Sequence, residues 1–374
     1  MRFLTLLLLI LLALPAAAEL APVPPAVAAR AWVLLDHASG QPLAGLNPDD
    51  HVEPASLTKL MTAYLVFDAL KQGVIALDQQ VPVSEKAWKA QGSRMFIEPK
   101  KPVTVAELIR GMIVQSGNDA CIALAEIIAG NEESFVQRMN HEAARMGLKN
   151  THFMNATGLP DAQHYSTAAD LGRLASTLIR DFPDLYPIYS MKDYSYNKIT
   201  QPNRNRLLWL DPTVDGVKTG HTEAAGFCLI ASAKRGSRRL LSVVLGTASD
   251  ALRAQESLKL LNFGFQAYDG VKLYDKGQVL SQAKVFKGQQ GSVRAGFRED
   301  FVLSLPKGTA DKVKVQLVSV QPLLAPIQQG QRVATLRVSI DNTVWGEYPV
   351  VALDDVPIAG PFGRGWDTIR LWFQ

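Results

Sequence analysis

The sequence is poor in cysteine, with only two in 374 residues. A secreted fold held together by disulfides would carry more, so a disulfide framework is not expected. Cys121 and Cys228 each lie among apolar neighbours. This context favours two buried free thiols, with a disulfide between them as the alternative. No Cys or His spacing typical of metal ligands occurs, so the sequence predicts neither a metal nor a cofactor.

The chain also lacks a dense block of basic residues. Lys and Arg number 39 against 35 Asp and Glu, which gives a formal net charge of +4. This mild excess without a cluster argues against a nucleic-acid partner. Hydrophobic residues make up 47% of the chain and charged residues 20%, as in a globular protein with a sizeable core. A chain of this length is sufficient for two or three domains.

A long aliphatic run lies at the N-terminus. Arg2 precedes the aliphatic residues 4–14, and the small residues of 15–18 follow before Glu19. This order is typical of a cleaved secretory signal, and its apolar core is too short for a comfortable membrane span. We therefore predict a signal peptide over residues 1–18, cleaved after Ala18, and a mature protein outside the cytoplasm.

Apolar patterns over residues 30–268 predict a mixed α+β domain. Strands are predicted at 31–36, 42–46, 226–233 and 240–246. Helices are predicted from Ser56 to about residue 72 and over 105–114, 119–129, 132–147, 167–179 and 251–268. Because early and late strands flank a helical block, the two ends of the domain should share one sheet. The Tyr- and Asn-rich residues 183–205 are expected to be irregular.

The composition changes after residue 269. Alternating apolar and polar residues, separated by Gly and Pro turns, predict a small all-β domain over 272–355. Wound as a helix, residues 360–374 place one set of apolar side chains on a single side: Phe362, Trp366, Ile369, Trp372 and Phe373. Such a helix is too short to span a bilayer but suits the membrane interface. A terminal helix packed on the β domain is the alternative.

The four residues Ser56-Leu57-Thr58-Lys59 are the first indication of chemistry, since they open a predicted buried helix. Residues three apart on a helix share a face, so the Ser56 hydroxyl and the Lys59 amine should lie together. A serine hydroxyl becomes a good nucleophile once a base takes its proton. A lysine amine can be that base if burial or a second cation lowers its pKa. A helix start with an exposed lysine is the alternative.

Two later clusters strengthen the catalytic interpretation. Ser116-Gly117-Asn118 falls in a turn between two predicted buried helices, where a simple helix cap is the alternative. Lys218-Thr219-Gly220 precedes the late apolar strands. Each cluster is weak alone, but the ordered set of three is specific.

This ordered set resembles that of the low-molecular-mass penicillin-binding proteins, the serine D-alanyl-D-alanine carboxypeptidases related to serine β-lactamases. The resemblance covers residues 30–268 through the motifs and extends to the end through the β domain and tail. It implies an antiparallel sheet flanked by helices, removal of D-alanine from peptidoglycan pentapeptides, and covalent binding of β-lactam antibiotics. With the signal and the tail, it implies a periplasmic enzyme held on the outer face of the inner membrane by residues 360–374.

Peptide acyl transfer then gives the motif residues roles. Ser56 is the nucleophile, and Lys59 is the base, kept neutral by nearby Lys218 and by a shortage of water. Ser116 is placed to pass a proton to the leaving amine. Asn118 can hold a substrate amide and the Lys59 amine together.

The remaining candidates would bind the substrate. Thr219 can bind a terminal carboxylate, and Gly220 lets the substrate backbone approach closely. By resemblance, the oxyanion donors are the backbone N–H groups of Ser56 and His221. Arg253 matches the family's carboxylate-binding arginine, for which the planar guanidinium is suited. A helix-surface arginine is the alternative.

Three other functions remain open. A class A β-lactamase usually has Ser-Asp-Asn where this chain has Ser116-Gly117-Asn118, and no clear counterpart of its glutamate-bearing loop is found. A D,D-endopeptidase of the same superfamily usually lacks the β domain and tail. An inactive cell-wall scaffold would have no need of intact Ser56, Lys59 and Lys218.

Overall fold

A computed structural model describes residues 21–360 of the protein, so the predicted signal peptide and residues 361–374 of the predicted tail lie outside the described residues. Within the described range the α-helices are α1 (Lys59–Lys71), α2 (Glu85–Trp88), α3 (Val105–Val114), α4 (Asn118–Ala129), α5 (Glu132–Arg145), α6 (Ala168–Asp181), α7 (Leu207–Leu210) and α8 (Asp250–Ala267). None of these helices combines the length and the apolar composition that crossing a membrane requires.

The strands of the same range fall into an N-terminal and a C-terminal group. The first group is β1 (Ala31–Asp36), β2 (Pro42–Leu46), β3 (Gln80–Val81), β4 (Val103–Thr104), β5 (Asp193–Tyr196), β6 (Ile199–Pro202), β7 (Val214–Thr222), β8 (Gly226–Arg235) and β9 (Arg238–Thr247). The second is β10 (Tyr268–Tyr274), β11 (Val279–Phe286), β12 (Ser292–Gly296), β13 (Phe301–Pro306), β14 (Val313–Ser319), β15 (Leu323–Leu324), β16 (Arg332–Ile340) and β17 (Thr343–Ala352).

A five-stranded antiparallel sheet organises the N-terminal domain, in the order β2-β1-β9-β8-β7. Early β1 pairs with late β9, Ala31 opposite Leu245, which confirms that the two ends of the domain share one sheet. Strand β7 is an edge strand with β8 as its partner in the sheet. Within residues 21–360 no second strand pairs with its outer side, so this side is a sheet edge.

Helices cover both faces of this sheet. Side chains alternate along a strand, so Val33 and Leu35 of β1 join the core formed with α1 and α3 to α6, whereas Trp32 and Leu34 join the core formed with α8. All six residues of β1 are buried as a result. The predicted class, an antiparallel sheet flanked by helices, is confirmed.

The two cysteines are buried and free, as the apolar context predicted. Burial raises the pKa of the Cys121 thiol to about 12 and also raises that of Cys228. Both side chains are therefore neutral thiols at physiological pH, and neither is available as a ready nucleophile.

Two local predictions were wrong. The helix expected from Ser56 starts later, because Ala55–Thr58 forms a 3₁₀ turn and α1 begins at Lys59. Residues 183–205, expected to be irregular, contain the β5–β6 hairpin. Its two turn residues, Asn197 and Lys198, both have positive φ, as a two-residue hairpin turn of this kind requires.

The C-terminal domain is all-β, as predicted. A six-stranded sheet has the order β14-β16-β17-β12-β11-β15, and β10 pairs with β13 in a separate ribbon. Inward-facing residues such as Leu336, Val338 and Ile340 form a core separate from those of the first domain. The domain therefore has the buried apolar interior that an independent layer needs.

Polar contacts at the β1–β2 end attach the β domain. Asp36 Oδ2 accepts hydrogen bonds from Arg238 Nε at 2.9 Å and from Ser304 Oγ at 2.8 Å, and the Tyr268 hydroxyl donates to the Leu43 carbonyl at 2.9 Å. A cavity of about 1280 Å³ lies between this end of the sheet, α6 and the β domain. It contains none of the three motifs, which lie toward the opposite edge of the sheet at β7. Cavity size therefore does not locate the chemistry here.

Candidate active site

The 3₁₀ turn brings Ser56 and Lys59 together. Side chains three residues apart nearly eclipse in such a turn, and Lys59 Nζ lies 3.1 Å from Ser56 Oγ. Ser56 is partly exposed, whereas Lys59 is only 1% exposed. The hydroxyl is therefore accessible to a substrate while the amine beside it is shielded from water.

Lys59 has a second partner that the sequence did not indicate. Its Nζ donates to the Thr157 carbonyl at 2.6 Å. Burial, with a smaller contribution from the charge of Arg204, lowers the pKa of Lys59 to about 8, although Cys121 and Asp119 act in the opposite direction. About a tenth of such amines are neutral at pH 7, far more than for an ordinary lysine.

Ser116 and Lys218 form a second hydroxyl–amine pair. Lys218 Nζ donates to Ser116 Oγ and to the Thr219 carbonyl, both at 3.0 Å. Burial lowers the pKa of Lys218 well below its usual range, and repulsion from Lys59 lowers it further. The sequence predicted that nearby Lys218 and a shortage of water would keep Lys59 neutral. Of these two causes, burial is the main one for both lysines, and their mutual repulsion opposes charging both at once.

Asn118 is buried at the start of α4, and only one end of its side-chain amide has a hydrogen-bond partner among the described residues. Its Nδ2 donates to the Gln91 carbonyl at 2.6 Å, whereas its Oδ1 has no hydrogen-bond partner among the described residues. The expected contact with the Lys59 amine is absent from the hydrogen bonds of these residues, since Lys59 bonds to Ser56 and Thr157. The free Oδ1 can accept an N–H from a bound amide.

Gly220 lets β7 pack closely on the 3₁₀ turn Ala55–Thr58, called the nucleophile turn below because it contains Ser56. A Cβ at Gly220 would lie 3.1 Å from the Pro54 carbonyl oxygen and 3.2 Å from Leu57 Cγ. This glycine was predicted to let the substrate backbone approach, and the structure shows that it also packs closely within the protein. Next to it, the exposed ring of His221 packs at a tilt of 32° on the Phe227 ring, with centroids 4.0 Å apart.

Arg253 is buried behind β7, so the alternative of a helix-surface arginine is wrong. It is 5% exposed, and its Nη1 donates to the Gly220 carbonyl at 3.0 Å and to the Cys228 carbonyl at 3.3 Å. Its Nη2 pairs with Asp250. Three of the five N–H donors of the guanidinium are thus used within the protein.

Sequence analysis missed Arg204. This exposed guanidinium lies close enough for its charge to lower the pKa of Lys59, Lys218 and Arg253. It lies just after β6, in the stretch that was expected to be irregular. A lone arginine there carries no sequence signal that would mark it.

Asp119 was also missed. Its buried carboxylate accepts hydrogen bonds from the backbone N–H groups of Met95 at 3.0 Å, Phe96 at 2.8 Å and Ile97 at 3.2 Å. It therefore fixes the loop that passes beside Asn118. The signal was an acidic residue in the first turn of an otherwise apolar helix.

The groups brought together suit acyl transfer by a serine. They are a hydroxyl beside a low-pKa amine, a second hydroxyl–amine pair, a free amide oxygen and an edge strand. Among residues 21–360, no three His, Cys, Asp or Glu side chains are grouped so that they could hold a metal ion.

Comparison with known proteins agrees with this geometry. The D-alanyl-D-alanine carboxypeptidase family, peptidase family S11, matches residues 18–249. The chain belongs to this family. The C-terminal domain of penicillin-binding protein 5 matches residues 268–357, which accounts for the β domain as well.

Curated carboxypeptidases match nearly the whole chain. The D-alanyl-D-alanine carboxypeptidase DacC of Escherichia coli is 42% identical over 366 residues, covering 96% of this chain and 92% of its own length. The carboxypeptidase DacA of Haemophilus influenzae is also 42% identical, over 93% of this chain and 90% of its own.

Solved structures show the same fold. Penicillin-binding protein 5 of Haemophilus influenzae, 42% identical, matches with a TM-score of 0.83 over 90% of this chain and 100% of its own. Penicillin-binding protein D2 of Listeria monocytogenes, solved with ampicillin bound, matches at 30% identity with a TM-score of 0.60, over 65% of this chain and 100% of its own. The protein is therefore a D-alanyl-D-alanine carboxypeptidase with the penicillin-binding protein 5 fold, and peptidoglycan and β-lactams are ligands consistent with its family.

Proposed function

We propose that this carboxypeptidase removes the terminal D-alanine from peptidoglycan pentapeptides through an acyl-enzyme on Ser56. The observation that carries the proposal is the 3.1 Å contact between the partly exposed Ser56 Oγ and the buried Lys59 Nζ. The neutral amine takes the hydroxyl proton while Oγ bonds to the carbonyl carbon of the penultimate D-alanine. The carbonyl electron pair moves onto oxygen and forms a tetrahedral intermediate.

Ser116 supplies the proton for the leaving group. When the intermediate collapses, the amide C–N bond breaks and the D-alanine nitrogen takes the Ser116 hydroxyl proton. Lys218, which donates to Ser116 Oγ at 3.0 Å, replaces that proton. The proton that Lys59 took from Ser56 then passes through solvent to Lys218, so both amines return to their starting states. Water attacks the ester with neutral Lys59 as base, and Lys59 passes the water proton to Ser56 Oγ as the C–O bond breaks, which regenerates Ser56.

The edge of β7 would hold the substrate backbone. An extended peptide can add to an exposed sheet edge through main-chain hydrogen bonds, and β7 is such an edge. The free Oδ1 of Asn118 would accept a substrate amide N–H. The backbone N–H groups of Ser56 and His221 would stabilise the oxyanion.

Cations near the end of β7 favour a substrate with a free C-terminal carboxylate. The two cations are Arg253 and the exposed Arg204, and the Thr219 hydroxyl at this end is a third candidate contact for the carboxylate. A cross-link continues past the scissile bond and offers no carboxylate there. This charge pattern supports carboxypeptidase over endopeptidase action. By removing the terminal D-alanine, the carboxypeptidase would limit cross-linking of the pentapeptides.

Replacing the nucleophile tests the proposal. Ser56→Ala should abolish both labelling by a fluorescent penicillin and release of D-alanine from a pentapeptide ending in D-Ala-D-Ala. The fold should be kept, because the change removes a single hydroxyl from a partly exposed side chain. Covalent labelling of the variant would show that another residue attacks.

We further propose a periplasmic location with attachment to the inner membrane. The supports are the signal pattern of residues 1–18 and the aromatic side of residues 360–374. Deleting residues 360–374 removes no motif residue, so carboxypeptidase activity should survive while co-sedimentation with vesicles of anionic lipid falls. Unchanged sedimentation of the truncated protein would place the attachment elsewhere.

A further inference from the structure

The loop of residues 153–165 packs directly on the nucleophile turn. Gly158 lies so close to it that a Cβ would come within 1.8 Å of the Ala55 carbonyl oxygen. In the same loop, the Ala156 carbonyl accepts from Thr62 Oγ1 at 2.6 Å, one turn beyond Lys59 on α1. The backbone of this loop therefore forms one wall of the Ser56–Lys59 pair.

His164 connects the far end of this loop to the turn. Its ring is 2% exposed, and its Nε2 lies 2.9 Å from Thr58 Oγ1. The Met154 backbone N–H donates to its Nδ1 at 3.3 Å, so Nδ1 is unprotonated. The proton is therefore on Nε2, which donates to Thr58. Burial lowers the pKa of His164 to about 4, which keeps this neutral tautomer at physiological pH.

We propose that His164 is a positioning residue for acylation: its bond to Thr58 holds the loop so that the Thr157 carbonyl occupies one N–H of Lys59. The inference rests on the proposed role of Lys59 as base. A neutral amine has two N–H groups and one lone pair. Because Thr157 holds one N–H at 2.6 Å, the amine cannot rotate freely, and in its neutral form it would turn its lone pair to the Ser56 hydroxyl 3.1 Å away.

Loss of this alignment should slow the chemical step without weakening binding. Misplacement of a reacting group by about 1 Å can cost roughly a hundredfold in rate. The side chains proposed to bind substrate on β7, α4 and α8 have no hydrogen bond or ring contact with His164 within residues 21–360. A lower acylation rate constant with a nearly unchanged apparent dissociation constant therefore distinguishes positioning from a general loss of structure.

The experiment compares three variants by stopped-flow reaction with a fluorescent penicillin. His164→Ala should lower the acylation rate constant roughly 10- to 100-fold and change the apparent dissociation constant less than about threefold. His164→Gln, whose Nε2 can still donate to Thr58, should recover a rate within about threefold of wild type. His152→Ala is the matched control, because that histidine bonds through Nδ1 to the exposed Gln163 carbonyl of the same loop, but within residues 21–360 it has no hydrogen bond to the nucleophile turn.

The outcomes separate this inference from the proposed function. Wild-type acylation by His164→Ala, or equal slowing by His152→Ala, would overturn the inference. If His164→Ala does not fold, Thr58→Val removes the same bond from the other side and should slow acylation by a similar factor; a wild-type rate for Thr58→Val would also overturn it. Lys59→Arg tests the base separately, since a labelling rate within a few-fold of wild type would refute the proposed role of Lys59 whatever the His164 variants do.

Discussion

In the N-terminal domain, charged side chains such as Lys59, Asp119, Lys218 and Arg253 are buried, whereas no Asp, Glu, Lys or Arg of residues 268–360 is. The β domain places its charges in exposed pairs, for example Arg294 with Asp354. Burying a charge costs free energy that partners offset only in part. The buried charges of the N-terminal domain therefore need either compensating partners or a chemical use, whereas the β domain has an apolar core with its charges at the surface.

The same contrast separates charges within the N-terminal domain. Asp119 is buried with backbone N–H donors, so its charge is compensated and it acts structurally. Lys59 and Lys218 instead have hydroxyls and carbonyls as partners, and no carboxylate. Their pKa values fall because the cost of burying a positive charge outweighs the opposing effects of Cys121 and Asp119 on Lys59 and of Cys121 on Lys218. Buried groups with perturbed pKa values beside a partly exposed hydroxyl are typical of catalytic sites.

The largest expected effect is loss of the buried amine. Lys59→Arg keeps a positive charge but cannot provide a neutral base near pH 7. Acylation by penicillin should fall by several orders of magnitude, with substrate binding less affected. Single-turnover labelling measures this directly, and a variant within a few-fold of wild type would exclude Lys59 as the proton acceptor.

The pH dependence of kcat/KM for the wild type also tests Lys59 as the base. Only the deprotonated amine can accept the Ser56 proton, so kcat/KM should rise with pH and level off above about 8, the pKa of Lys59. At pH 6 the rate should be roughly a hundredfold below the plateau, since each unit below the pKa costs a factor of ten. A profile that is flat from pH 6 to 9 would contradict a base with this pKa.

Arg253 should give the next largest effect. A charge-assisted hydrogen bond is worth about 1.5–3 kcal/mol, so Arg253→Ala should lower kcat/KM for D-Ala-D-Ala peptides roughly ten- to a hundredfold. Amidating the terminal carboxylate should make a substrate poor for wild type and no worse for the variant. These two changes should thus be non-additive.

The structure adds a second possible result for this experiment. Arg253 also bonds to the Gly220 and Cys228 carbonyls, so its loss could act by displacing β7. In that case amidated and free substrates would suffer alike, and the carboxylate role would be refuted. Arg204→Ala is the matched control, an exposed cation at the same site for which a smaller, carboxylate-dependent loss is expected.

Contacts between residues close together in the sequence could be predicted, whereas contacts between distant residues could not. Ser56 and Lys59 are three residues apart, so local geometry alone brought them together. The Thr157 carbonyl that binds Lys59 lies 98 residues further along the chain. Because every residue has a backbone carbonyl, the residue type at 157 gives no indication of this contact. The turn at Asn197 had a legible signal, since asparagine tolerates positive φ, but the surrounding tyrosines do not alternate clearly enough to mark strands.

The smallest effect is expected at the exposed pairs of the β domain. Arg294 and Asp354 meet through two hydrogen bonds of 2.7 and 2.6 Å, but their side chains are 56% and 38% exposed. Water and salt replace most of such a contact. Arg294→Ala should therefore shift the melting temperature by roughly 1 °C or less and leave kcat/KM unchanged.

Arg238→Ala provides the matched buried case. Arg238 pairs with Asp36 at 2.9 Å, with side chains only 14% and 1% exposed, and it also bonds to Ser304 of the β domain at 2.9 Å. Removing one partner of a buried pair leaves an uncompensated charge and costs about 3–5 kcal/mol. Thermal melts of the two variants, with activity measured in parallel, test the comparison between domains. Equal destabilisation by Arg294→Ala and Arg238→Ala would show that burial does not decide the value of a charge in this protein.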